Sequence, residues 1–198
     1  MLSARANPFR ADRIEVLRYC LDDGGWHRLM TRFAIQRWRG VLIGPHGSGK
    51  TTLREEIERR MRADGWRVCT VVLGDDRSIT WRDVHDVIAD AHERTVLSLD
   101  GLDRLSPWSW WRLVRATKHL GGVLATSHSP GRLPTLHQHR TSPELLHDLV
   151  RDLTTASMAF ELRDRCTRLF KQYQGDIRAC LRRLYDETAE TTSLHVTQ

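Results

Sequence analysis

The sequence has no apolar segment of roughly 20 residues, the length that a membrane-spanning helix needs. The first stretch, from Met1 to Arg13, holds three arginines and no apolar run of the length found in secretory signal peptides. These two absences lead us to expect a protein that is not targeted to a membrane.

Cysteine is scarce, with four in 198 residues. They are Cys20, Cys69, Cys166 and Cys180, and none forms a closely spaced pair of the kind that binds zinc. The spacing also gives no disulfide framework. We therefore expect buried or free thiols in a reducing compartment, and a cytoplasmic location.

The chain lacks a lysine- and arginine-rich block of about 5–8 residues, although the formal net charge is +6. The basic residues are mostly arginines and are spread over the chain, which favours a solvated surface and leaves a nucleic-acid partner as the weaker alternative. Seven tryptophans are many for this length. The cluster Trp108, Trp110 and Trp111 indicates packing or a protein contact.

A glycine-rich segment follows the short apolar run Val41-Leu42-Ile43 and precedes an amphipathic helical stretch. Its glycines allow successive backbone N–H groups to curl around a phosphate chain, at the positive end of the helix that follows. The expected nucleotide-binding residues are Gly44, Pro45, His46, Gly47, Ser48, Gly49, Lys50, Thr51 and Thr52. Lys50 would reach the terminal phosphates, Thr51 would offer its hydroxyl to Mg²⁺, and the His46 ring would face solvent.

Apolar runs of strand length alternate with stretches of helical periodicity over the first two thirds of the chain. Strands are predicted over 40–43, 67–73, 95–99, 123–125 and 133–137, and helices over 14–21, 26–37, 53–63, 81–91 and 107–119. Because the strands are apolar on both faces, we expect an α/β protein with a mostly parallel sheet covered by helices on both sides.

Strand signals stop near Ser142, and three helical stripes follow. The sequence thus predicts an N-terminal helical flank over 1–36, a nucleotide-binding domain over 37–138, a helical lobe over 139–190 and a flexible tail over 191–198.

Asp100 ends the apolar strand Val96-Leu97-Ser98-Leu99. Ligands bind at the carboxyl ends of parallel strands, so this carboxylate is the expected Mg²⁺ partner of Thr51. An aspartate at a strand end also serves as an ordinary turn or cap residue, which is the alternative interpretation.

Two of these segments resemble known motifs. Gly44 to Thr51 resembles a Walker A motif, and Leu99 to Asp103 resembles the Walker B segment of AAA+ and related STAND-type ATPases. The resemblance implies a P-loop NTPase three-layer sandwich with a small C-terminal helical lid, binding ATP and Mg²⁺. It also implies that Asp103 supports water activation. The chain departs from the pattern at Gly101 and Arg104, where the family commonly carries glutamate.

Two later segments extend the resemblance. Val123 to Ser127 is similar to the sensor 1 strand, which implies that Thr126 or Ser127 lies beside the γ-phosphate; the alternative is a pair of turn formers. Gly175 to Arg178 is similar to the start of the sensor 2 helix, which implies that Arg178 adds positive charge at the γ-phosphate. A surface arginine after a capping turn is the alternative there.

The expected catalytic set is therefore Lys50, Asp103, Thr126, Ser127 and Arg178, with Thr51 and Asp100 at the metal. In oligomeric ATPases of this group a neighbour's arginine completes the site, and Arg132 and Arg140 both fit that position.

Three functions remain open from the sequence. The first is an ATPase that couples nucleotide binding or hydrolysis to lid movement and to a protein partner or homo-oligomer. The second is a small P-loop kinase acting on a metabolite, and the third is a nucleotide-sensing adaptor with little turnover. His137 and His139 lack acidic or cysteine partners at ligand spacing, so we expect them to be surface or turn residues.

Overall fold

The computed structural model describes residues 7–10, 13, 21–73 and 81–194. Residues 14–20 of the helix predicted over 14–21 lie outside these described ranges. The elements in chain order are α1 (Asp23–Ile35), β1 (Arg39–Ile43), α2 (Lys50–Ala63), β2 (Arg67–Val72), α3 (Trp81–Ile88), β3 (Thr95–Asp100), a 3-10 turn (Leu102–Arg104), α4 (Pro107–Ala116), β4 (Gly122–Ser127), β5 (Thr135–Gln138), α5 (Pro143–Leu153), α6 (Ala156–Gln172) and α7 (Ile177–Leu194).

The five strands form one sheet in the order β2-β3-β4-β1-β5, and every pairing is parallel. This confirms the predicted α/β class and parallel sheet. Strand β4 lies between β3 and β1, with Ala125 opposite both Val41 and Leu99. The carboxyl ends of β1, β3 and β4 therefore meet at one edge, where a ligand site is expected.

Side chains of successive strand residues enter two separate cores, because they point to opposite faces of the sheet. On one face, Leu97 and Val123 pack in a buried cluster with Leu113 of α4. On the other face, Leu124 packs in a second cluster with Phe33 of α1 and residues of α2. The sheet is thus the middle of three layers, as predicted.

The C-terminal helices form a compact unit with their own core. Residues 7–10, 45–48 and 140–194 group in this helical unit, and residues 21–44, 49–73 and 81–139 group in the sheet unit. Phe9 lies in the core of the helical unit, and the Asn7 side-chain amide donates to the backbone oxygen of Tyr185 at 3.0 Å. The predicted N-terminal flank over 1–36 is therefore divided between the two units.

Several element boundaries differ from the prediction for local reasons. Helix α1 includes Gly24 and Gly25 because the Asp22 carboxylate accepts a hydrogen bond from the Gly25 N–H at 2.6 Å and caps the helix. Helix α7 continues to Leu194, into the segment expected to be a tail, since neither glycine nor proline interrupts it.

The three cysteines within the described residues, Cys69, Cys166 and Cys180, are free and buried, as predicted. No helix in the described part of the chain is both long and apolar enough to cross a membrane.

Candidate functional site

The glycine-rich segment is the loop between β1 and α2. Gly47 and Gly49 have φ values of +64° and +85°, a left-handed conformation that side-chain-bearing residues rarely adopt. Gly49 is the residue that caps α2, so the free N–H groups of the first helical turn begin at Lys50. The Gly44 N–H donates to the backbone oxygen of Ser127 at 3.3 Å, which ties the start of the loop to β4.

Lys50 is folded back over its own loop. Its Nζ donates to the backbone oxygen of Gly44 at 2.7 Å, and the Nδ1 atom of His128 lies 3.1 Å from the same oxygen. Pro45 and His46 are exposed, in agreement with the prediction for the histidine ring, whereas Ser48 is buried and Thr52 is half-buried. The Lys50 ammonium group is thus hydrogen-bonded to the residue that begins the glycine-rich segment.

The side chain of Asp100, at the end of β3, forms hydrogen bonds with residues of α2 and β4. Its Oδ1 atom accepts a hydrogen bond from the Thr126 hydroxyl at 2.5 Å, and its Oδ2 atom accepts one from the Thr51 hydroxyl at 3.3 Å. The structure thus brings together the two predicted metal-site residues and one of the two sensor 1 candidates. Since the Thr126 side chain is buried, it is held in position to orient the carboxylate.

The donor set fits Mg²⁺ better than a metal held by protein alone. Mg²⁺ prefers oxygen ligands and keeps several waters or substrate oxygens, so it needs only one or two protein groups. Thr51 and Asp100 supply one hydroxyl and one carboxylate. Within the described ranges, no group of three or more histidine, cysteine, aspartate or glutamate side chains is placed to hold a metal.

Gly101 directly follows Asp100 and has a left-handed backbone. Its φ is +91°, and a Cβ atom at this position would lie 3.3 Å from the backbone oxygen of Leu73. The Gly101 N–H also donates to the Thr126 hydroxyl oxygen at 2.9 Å. A side chain here would be strained, so the next available acid is Asp103 on the 3-10 turn.

Asp103 and Ser127 line one polar cleft of the sheet unit, together with Ser129 and Arg132. Asp103 is exposed. The Ser127 hydroxyl donates to the backbone oxygen of Ser129 at 2.8 Å and accepts from its N–H at 3.2 Å, which is a local turn. The two sensor 1 candidates therefore differ, since Thr126 contacts Asp100 and Ser127 closes the turn after β4.

Sequence reasoning missed a buried ion pair beneath the site. Arg54 donates to Glu58 one turn further along α2, and Ser98 of β3 donates to the same carboxylate at 2.6 Å. Both charged residues are only 4% exposed. The second Arg54 nitrogen lies 3.9 Å from Oδ2 of Asp100. In the sequence, the i, i+4 spacing of Arg54 and Glu58 on the apolar stripe of α2 was the feature that could have predicted this ion pair.

The segment from Gly175 to Arg178, which was predicted to begin the sensor 2 helix, contacts Gly47 in the part of the loop that groups with the helical unit. Asp176 accepts a hydrogen bond from the Ala179 N–H at 2.9 Å and thereby caps α7. A Cβ atom at Gly47 would collide with the Asp176 carboxylate and would lie 2.9 Å from the backbone nitrogen of Arg178. The Arg178 side chain itself is exposed.

The remaining candidates have different surroundings. Arg132 donates to the backbone oxygens of Leu102 at 2.8 Å and Leu105 at 2.6 Å, so it is held within its own chain, and Arg140 is exposed. His139 is buried, which contradicts the surface alternative predicted for it, and its ring centroid lies 4.8 Å from that of His137. Burial lowers the pKa of His137, with a smaller contribution from the charge of Arg32.

No family model matches the sequence, and no curated protein matches it either. Solved structures do match the fold. One is the RuvB Holliday junction branch migration motor of Thermotoga maritima, with a TM-score of 0.62 and 15% identity over 96% of this chain and 67% of that one. Another is a mutant of the same RuvB, with a TM-score of 0.59 and 15% identity over 86% of this chain.

This chain spans only 65% of the length of that mutant's chain. At this identity the likeness concerns the fold alone. The parallel sheet order, the glycine loop after the first strand of the sheet and the RuvB neighbours agree on one architecture. The chain has the fold of the AAA+ P-loop ATPases.

Proposed function

We propose that the chain is a Mg²⁺-dependent ATPase that uses the loop between β1 and α2 to hold the phosphates of ATP. The observation that carries the proposal is the convergence of Thr51, Asp100 and Thr126 at the sheet edge beside that loop. These residues come from α2, β3 and β4, so the fold has to assemble them. A chance glycine-rich turn would not place a hydroxyl and a carboxylate together at this point.

Each residue has a role that follows from its contacts. The Lys50 ammonium, now on the Gly44 carbonyl, would turn to the β- and γ-phosphates, which are stronger acceptors. Thr51 and Asp100 would hold Mg²⁺, which when bound neutralises negative charge on the phosphates. Thr126 would keep the Asp100 carboxylate oriented through its 2.5 Å hydrogen bond.

Asp103 is the proposed acid that orients the attacking water. It lies in the polar cleft with Ser127, and the left-handed backbone at Gly101 disfavours a side chain at the alternative position. Arg178 and Ser127 complete the proposed catalytic set, with Arg178 adding charge at the γ-phosphate.

A nucleotide bound in the loop would affect the position of helix α7 through Gly47. This residue packs against Asp176 and the backbone of Arg178 without room for a methyl group. A phosphate chain wrapped by residues 45–48 would therefore shift or fix the start of α7. This gives a physical route for the proposed coupling of nucleotide state to a partner, which would be a protein, a nucleic acid or further copies of the chain.

Phosphate release from ATP without added acceptor tests the proposal. We expect Mg²⁺-dependent release by the unmodified chain, no release by Lys50→Ala, and a loss of about 10²–10⁴-fold by Asp103→Asn. Asp164→Asn, an exposed aspartate on α6, is the matched control and should leave the rate unchanged. Release that appears only with an added metabolite would instead identify a kinase.

A nucleotide-sensing adaptor is the second candidate, and the conformation of Gly101 favours it. With φ at +91°, a glutamate directly after Asp100 would be strained, and this chain carries none there to activate water. Tight binding of Mg·ATP with no phosphate release over hours would select the adaptor and reject the ATPase.

A further inference from the structure

Helix α4 carries two tryptophans on its solvent side. Trp108 is 65% exposed and Trp111 is 52% exposed. Their rings stack on each other with centroids 5.0 Å apart and planes inclined by 19°. A large exposed aromatic surface of this kind marks an interaction site more often than a packing element.

The rotation of α4 is fixed by other residues. Leu113 is buried in the core between α4 and the sheet, and Trp110 packs against the same core. With these two side chains inward, helical spacing turns Trp108, Trp111, Arg112 and Arg115 outward together. The core therefore does not need the two exposed rings, and we call these four residues the tryptophan-arginine face.

The segment of sequence that contains this face carries charge of one sign. The chain has 31 lysines and arginines and 25 aspartates and glutamates. Between residues 104 and 143 there are six lysines and arginines and no acidic residue, so the rest of the chain carries 25 of each sign. The whole formal charge of +6 thus comes from the segment that contains α4.

Positive charge also lies directly on the aromatic surface. The Arg115 guanidinium is 5.8 Å from the Trp111 ring centroid, within range of a cation–π contact. Arg112, Arg115 and Lys118 are all exposed. A ligand with flat aromatic groups and negative charge at close intervals would match both features of this surface.

We propose that the tryptophan-arginine face binds single-stranded nucleic acid, with unpaired bases stacked on Trp108 and Trp111 and phosphates on Arg112 and Arg115. Single strands present both chemistries, since every base has a π-face and every nucleotide a phosphate. A duplex hides its bases, and an acidic peptide matches the charge without the rings. The proposal does not depend on nucleotide hydrolysis.

Fluorescence anisotropy with a labelled oligothymidylate of about 16 nucleotides tests the proposal. Because base stacking on an aromatic ring is a large contribution, Trp108→Ala and Trp111→Ala should each weaken binding by about 5- to 150-fold. Phe160→Ala is the matched control, since Phe160 is 77% exposed but lies on α6, and it should leave the affinity unchanged.

Salt dependence separates the phosphate contacts from the stacking. Arg115→Gln should reduce the slope of log affinity against log salt by about 0.7, the value for one phosphate contact on a single strand. The tryptophan variants should keep the slope. Circular dichroism confirms that each variant is folded, which is expected because the replaced side chains lie outside the core.

Three results would overturn the proposal. The first is no binding of the oligonucleotide by the folded, unmodified protein at low salt. The second is equal affinity in the tryptophan variants. The third is equal competition by a duplex or by polyglutamate, which would show that the surface recognises charge alone.

Discussion

Removing the buried carboxylate of Glu58 is the most direct test of how much the ion pair beneath the site contributes to the stability of the fold. Glu58 accepts hydrogen bonds from Arg54, from Ser98 at 2.6 Å and from Thr70 at 3.2 Å. Glu58→Ala leaves a guanidinium that is 4% exposed without its main counter-charge. The Arg54 side chain is only 5% exposed, so the cost falls on the folded state.

The magnitude follows from the burial of both partners. Removing one member of a buried pair costs about 3–5 kcal/mol, because the remaining charge stays desolvated. The bond from Arg62 at 3.0 Å adds little, since its side chain is half exposed. For a chain of this size about 1 kcal/mol changes Tm by about 2–4 °C, so we expect a decrease of roughly 6–20 °C.

Thermal and urea unfolding, followed by tryptophan fluorescence, measure this loss. Glu55→Ala is the matched control, because Glu55 contacts the same arginine at 3.4 Å but its side chain is 63% exposed. Its removal should cost about 0–1 kcal/mol. The double variant Arg54→Met with Glu58→Leu should regain most of the stability. Equal losses in Glu58→Ala and Glu55→Ala would refute the buried-pair account.

Three further predictions concern other parts of the chain. Gly47→Ala should weaken nucleotide binding and lower Tm, since φ is +64° and a methyl group would meet the carboxylate beside it; calorimetry showing unchanged binding would contradict this. Burial raises the pKa of the Cys180 thiol to about 11 and also raises that of Cys166. Mass spectrometry after alkylation at pH 8 should therefore find both thiols unmodified until urea is added. Rapid alkylation of the folded protein would contradict this prediction. Hydrogen bonding from Arg59 lowers the pKa of Glu56 from 4.5 to about 2, so the stability from this pair is full above pH 4.5 and declines as the pH falls towards 2. In urea titrations between these pH values, Glu56→Gln should therefore lose less stability on acidification than the unmodified chain. An identical pH dependence of the two proteins would rule this contribution out.

Local patterns were sufficient for the architecture. Alternating strand and helix signals predicted the parallel sheet, since buried strands such as β3 read as continuous apolar runs. The glycine-rich segment that the sequence places after the apolar run Val41-Leu42-Ile43 lies between β1 and α2. The start of α4 also has a local cause, because the Ser106 hydroxyl accepts a hydrogen bond from the Ser109 N–H at 3.1 Å and caps the helix.

Features that depend on distant contacts were not accessible from the sequence. The order of the strands places β4 between β1 and β3, and only this pairing brings Thr126 to Asp100. The burial of His139 and of Arg54 likewise depends on contacts with residues that are distant in the sequence. The left-handed backbone at Gly101 is a further case, because glycine alone does not reveal its φ.

Isothermal titration calorimetry of Mg·ATP against the folded chain tests the central claim most directly, that the loop from Gly44 to Thr51 holds a polyphosphate. We expect saturable binding that Lys50→Ala abolishes and that Lys171→Ala, an exposed lysine on α6, leaves unchanged. Absence of binding heat at millimolar Mg·ATP, or equal binding by Lys50→Ala, would contradict the account.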